Sequence, residues 1–120
     1  MEGRNPVDPL AMYIREVSTV VPLSSDEERR LFRELGGRDN WNDAKENIAR
    51  RLIESHLPLV VTIAGKHSAS GARMLDVIQE GNLALINAVK SFAEEPLGDF
   101  TAYATSHIVD AITKAFGEPR

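Results

Sequence analysis

The chain has 120 residues, 42% of them hydrophobic, and its 18 acidic and 14 basic side chains leave a formal charge of −4. That suffices for one modest domain spanning residues 1–120, whose core needs no metal or disulfide, and the absence of cysteine removes any disulfide framework or thiolate metal site. The acidic balance argues against nonspecific nucleic-acid binding, which draws its affinity mostly from Lys and Arg neutralising phosphates, but leaves room for a local basic patch.

Met1 to Val7 read as a frayed lead-in. Asp8-Pro9 makes a helix start, with the aspartate as N-cap and proline, which has no N–H to lose, at the first helical position. Leu10, Tyr13, Ile14 and Val17 have the spacing to bury one side of a short helix ending near Ser18-Thr19. Val20 to Leu23 should be extended, because Pro22 disfavours helical geometry in the residue before it. Ser25 with Glu28 three positions on reads as a capping box, and Asp26, Glu27 and Glu28 suit the positive end of the helix dipole. The helix so begun runs from Asp26 to Leu35, Gly36-Gly37 ends it, and Arg38 to Trp41 is a loop.

Asn42 or Asp43 can cap a third helix with Ile48, Leu52 and Ile53 inward and its charged residues mostly outward. Pro58 costs a helix interior a hydrogen bond and adds a clash, which predicts a kink or short break between Glu54 and Leu59. The segment that resumes is apolar nearly all round, through Leu57, Leu59, Val60, Val61, Ile63 and Ala64, and is expected to be the central helix of a small bundle. Its apolar run is far short of a bilayer span, and the N-terminus lacks a basic stretch followed by an apolar signal core. A cytoplasmic protein with no membrane partner is expected. His67 to Arg73 is loop chemistry, with Gly71 able to take positive φ.

Met74 to Phe92 is the organising helix. At a period of 3.6, Leu75, Ile78, Leu85, Val89 and Phe92 share one stripe, with Asp76, Glu80 and Asn87 nearly opposite. Leu83 sits among those polar groups, and Gln79 and Ile86 flank them where they could close over a partner. Pattern alone favours an ordinary solvated exterior; the misplaced Leu83 favours a docking face. Ala93 to Asp99 is a connector, and Phe100 onward forms a last helix ended by Gly117 and Pro119. The fold class is all-α, with five or six helices joined by short connections.

Catalytic patterns are weak. His56, His67 and His107 lie in different elements without ligand spacing, no glycine-rich phosphate cradle follows a strand, and no serine sits on a strained turn. No metal, cofactor or enzymatic activity is expected.

Word for word, the segment Asp76-Val77-Ile78-Gln79-Glu80-Gly81-Asn82 and the apolar helix after it resemble the most recognisable part of bacterial sigma-70 family factors. Arg50 to His67, Asp8 to Val17, Phe100 to Thr105 and Ala111 to Phe116 resemble, in family order, the neighbouring parts of regions 1.2 and 2. The resemblance implies a small helical bundle like the sigma-70 region 2 domain and a transcription initiation role. Its implied partner is RNA polymerase core, gripped at the clamp-helix coiled coil by Leu57, Asp76, Gln79, Glu80 and Asn82, with Leu83 or Ile86 supplying apolar burial. On ideal helix geometry Asn82 leans toward the apolar stripe. An anti-sigma factor is a candidate partner for the same face.

The promoter-reading half departs from the family. Where aromatic and basic residues hold the nontemplate strand, this chain has Ala93, Glu94, Glu95, Pro96 and Asp99; the tandem tryptophans are Ser106 and His107; an Arg and a Gln are Val109 and Asp110. Single-strand binding needs stacking platforms in a positive groove. Phe92 and Phe100 suit the core better, which leaves Tyr103 for stacking and Lys114 as the helix's basic residue, with Thr105 beside them in the matching segment. Promoter DNA is therefore a partner with weakened recognition. Two readings compete: a sigma-type factor that binds polymerase and contributes to promoter recognition, and a sigma-like competitor or adaptor that keeps the grip without melting DNA; a third is a plain helical interaction module unrelated to transcription.

Overall fold

The structure, a computed structural model, describes residues 8–36, 41–68 and 71–118. Among these the chain forms six α-helices and no strand: α1 (Pro9–Ser18), α2 (Ser25–Leu35), α3 (Asp43–Glu54), α4 (Leu57–His67), α5 (Gly71–Glu94) and α6 (Phe100–Phe116). The all-α class read from the hydrophobic periods is the observed one.

Local chemistry accounts for most boundaries. Asp8 Oδ1 accepts from the backbone N–H groups of Leu10 (3.0 Å) and Ala11 (3.3 Å), so α1 starts at its N-cap aspartate as expected. Val17 is buried and Leu10 and Tyr13 are half-buried, but Ile14 is exposed, which corrects the expected buried stripe. The capping box of α2 also moves by one residue: Ser24 Oγ accepts from Glu27 N–H and Glu27 Oε1 from Ser24 N–H, both at 3.1 Å. Ser24 is the last extended residue, and Glu28, expected to close the box, turns inward to His56. At the other end Gly36 takes φ 64°, the left-handed conformation that lets its N–H reach Phe32 O.

The break before Pro58 is real. Ser55 and His56 separate α3 from α4, and Pro58 falls in the first turn of α4, where a missing N–H costs no helical bond. The expected loop at His67–Arg73 is a correction. His67 still belongs to α4 and Gly71 opens α5, while Ala69 and Ser70 lie outside the described residues. Gly71 is thus helical rather than a positive-φ turn residue. The other connector is shorter than expected too, since Ala93 and Glu94 continue α5.

The central helix is α5, not α4: it packs against α1, α2, α3, α4 and α6. Its 24 residues offer a wider buried face than the predicted stripe, through Val77, Ile78, Leu85, Ala88, Val89, Phe92 and Ala93, while Leu75 is only half-buried. The α6 helix runs antiparallel to it, with Phe92 and Phe100 rings 5.2 Å apart at one end and Arg73 stacked 5.2 Å over the Phe116 ring at the other. The α4, α5 and α6 helices meet at Gly81. A Cβ there would lie 2.7 Å from Val60 Cγ1, 3.2 Å from Ile112 Cδ1 and 3.4 Å from Ile108 Cγ2. Only a glycine admits this approach without something shifting. Phe32 joins α2 to the same core, 4.9 Å from Phe92 and 4.8 Å from Phe100, placing both of those rings in the core as expected.

Candidate functional site

With Val77, Ile78, Gly81, Leu85 and Ala88 turned inward, the remaining period of α5 turns Asp76, Gln79, Leu83 and Asn87 outward. Asp76 and Gln79 are exposed, Glu80 is half-buried at their edge, and Leu83 is 58% exposed among them. Ile86 is half-buried one turn on. This row is about 15 Å long from Asp76 to Ile86 at 1.5 Å per residue. Among the described residues, the side chains of Asp76, Gln79 and Glu80 make no hydrogen bond or ion pair. Two carboxylates and an amide therefore stand unengaged around an apolar side chain held on a rigid helix. That arrangement can bind cationic donors at its rim and apolar surface at its centre.

Asn82 stands apart from this row. Its Nδ2 donates to the Tyr13 hydroxyl at 3.0 Å, and its Oδ1 is buried without a partner. The amide ties α1 to α5 from the side, and nothing in the sequence of Tyr13 signalled that link. Leu57, the first residue of α4, is half-buried against the core. Gly65 opposite Met74 and Val60 opposite Gly81 set the antiparallel register of α4 on α5. By the same register Leu57 comes abreast of residues 82–84, level with Leu83 rather than with Asp76.

The residues expected to face DNA are dispersed along α6. Tyr103 is half-buried, with ring centroids 5.1 Å from Phe92 and 4.3 Å from His107. Thr105 Oγ1 donates to Thr101 O at 2.7 Å, and the exposed Lys114 pairs with Asp110 at 3.0 Å. Asp99 caps α6 by accepting from Thr101 N–H at 3.2 Å. No Lys or Arg occurs between Ser91 and Tyr103.

Sequence reasoning missed a buried ionic contact beneath this end. His56, 8% exposed, bonds Glu28 Oε1 through Nε2 at 2.9 Å, has Leu52 O 2.8 Å from Nδ1 and packs edge-on to Phe100. Burial lowers the imidazole pKa, but the bonds to Glu28 and to the Leu52 carbonyl, with the charges of Glu28 and Asp99, outweigh it and leave the pKa raised. Both ring nitrogens face oxygen acceptors, which suits the doubly protonated ring. Histidine and glutamate 28 positions apart carry no local pattern, so no sequence signal could have paired them. His67, by contrast, reaches Ile63 O and Thr113 Oγ1, and His107 reaches Tyr103 O.

A six-helix arrangement with this central helix is the class; its family follows from comparison. Residues 52–117 match the family model described as sigma-70 region 2, and the chain belongs to that family. It is 40% identical over 111 residues to the RNA polymerase sigma factor SigA of a Bacillus species and 38% over 112 residues to SigA of Lactococcus lactis subsp. cremoris. It is 39% identical over 111 residues to SigA of Clostridium acetobutylicum. Each similarity covers 92% of this chain, which spans less than a third of the length of the curated relatives it matches, 28 to 30%.

Proposed function

We propose that this chain, as a sigma-type domain, binds RNA polymerase core at the clamp-helix coiled coil through the outward row of α5 without melting promoter DNA on its own. The observation that carries the reading is the unengaged set Asp76, Gln79 and Glu80 around the exposed Leu83. Arginines of a coiled coil would meet the carboxylates as forked donors, and Leu83 with Ile86 would supply apolar burial. Leu57 supports the row from α4, while Asn82 acts indirectly, by holding α1 in place through Tyr13.

The promoter-facing role is reduced in this proposal. Acids stand in the connector, Lys114 is paired to Asp110, and Tyr103 leans on Phe92 and His107, so little is left to stack a base or neutralise a phosphate. These features favour the second reading, a polymerase-binding competitor or adaptor, over promoter melting by this chain alone. An anti-sigma factor that covers the α5 row remains a compatible partner.

The test is competition. The chain should displace a labelled SigA from core polymerase, Asp76→Arg should not, and the wild-type complex should fail to capture a fluorescent single strand carrying a −10 element. Sequence-dependent capture would restore promoter recognition to this chain, and failure to compete would remove the polymerase-binding role altogether.

A further inference from the structure

The outward row of α5 does not stop at Ile86. Lys90 follows Ile86 by four residues and Leu83 by seven, so it stands on the same side of the helix, about 6 Å and about 10 Å further along. Its ammonium lies 5.6 Å from the centroid of the Trp41 ring. Trp41 is the chain's one tryptophan, and it reaches this face from the connector between α2 and α3, outside the residues that match the family model. The next residue ties its backbone down: Asn42 Oδ1 accepts from Lys45 N–H at 3.0 Å and starts α3. The Trp41 side chain is half-buried, packed against the core cluster on one side and open to solvent on the other. A rigid indole therefore stands at the end of a face whose other apolar members are Leu83 and Ile86.

Resting on the polymerase-binding reading, we infer that Trp41 is a further apolar anchor of that interface and covers an apolar side chain of the clamp coiled coil beside Ile86 and Leu83. Indole offers a large apolar area with few rotatable bonds to freeze, which suits it to such an anchor. Lys90 is a positioning residue that holds the ring at the end of the row by cation–π attraction. The row then has a direction, with the carboxylates of Asp76 and Glu80 at one end and the indole with its ammonium at the other. Such a face admits the coiled coil one way round, basic side chains toward Asp76 and apolar surface toward Trp41.

The experiment titrates the full chain with a clamp coiled coil free of tryptophan, read by calorimetry and by the emission of Trp41. On saturation the emission should shift to the blue and become less open to acrylamide quenching, because the indole passes from half-exposed to covered. Trp41→Leu keeps an apolar group against the core and should weaken binding about fivefold or more. Lys90→Gln should weaken it less, and Lys90→Arg, whose guanidinium also stacks on an aromatic face, should restore the wild-type affinity. Thermal midpoints show whether each variant folds, and if Trp41→Leu does not, the wild-type emission and quenching decide. Calorimetric binding with both optical signals unchanged, or wild-type affinity in a folded Trp41→Leu, would overturn the role of Trp41 and leave the α5 row standing. No binding at all would overturn both.

Discussion

Gly81 stands in the recognisable stretch of the sequence, yet its structural duty is packing: Val60 Cγ1, stiff on a β-branched side chain, would lie only 2.7 Å from a Cβ there. Alanine would gain up to about 1 kcal/mol of helix propensity and lose about 1–3 kcal/mol to overpacking. Gly81→Ala is therefore expected to lower the urea midpoint of unfolding, and an unchanged midpoint would show that α4 gives way instead. His56 makes a second prediction. Glu28 on α2 and Asp99 before α6 face its ring, and its folded pKa is raised. A raised pKa means the contribution is fully present below the unfolded value of about 6.5 and is lost as pH rises through the folded value. Urea midpoints should fall on going from about pH 6 to about pH 8, and His56→Gln should flatten that fall. Neither residue's role was legible, because both depend on atoms brought together by the fold.

Elements were far more legible than contacts. Asp8-Pro9, Gly36, Asn42, Pro58 and Gly117 mark helix ends by local chemistry, and all act where they stand in the sequence. The errors arose where two neighbours offered the same chemistry or where burial decided. Ser24 and Ser25 each have a glutamate three residues on, and only the extended backbone at Ser24 selects the working pair. Ser24→Ala is expected to cost about 1 kcal/mol, read as a lower midpoint in denaturant, whereas Ser25→Ala should change little. The Glu27 carboxyl, held below its usual range by the Ser24 N–H and then the Ser24 hydroxyl, loses this bond as pH falls through its folded pKa, so the difference between the two variants should narrow in acid. The apolar α4 looked central because its composition is apolar all round, but α5 is longer and touches every other helix. Length and position, not hydrophobicity, decide which helix the others pack on.

At the scale of the molecule the two ends of α5 offer different surfaces. Asp76 to Ile86 make a mixed polar and apolar row that the motif itself announced, and the helix periodicity placed it correctly. The far end is acidic and aromatic, with Tyr103 half-buried and His56 locked beneath to Glu28. This separation is what the proposal rests on, in which the α5 row grips polymerase and the hold on promoter DNA is weak. The most direct measurement is a calorimetric titration of the full chain with the isolated clamp coiled coil at one fixed salt concentration. Saturable binding is predicted, reduced about tenfold or more by Glu80→Lys and by Leu83→Ser with thermal midpoints unchanged. No binding, or equal binding by both variants, would contradict the account.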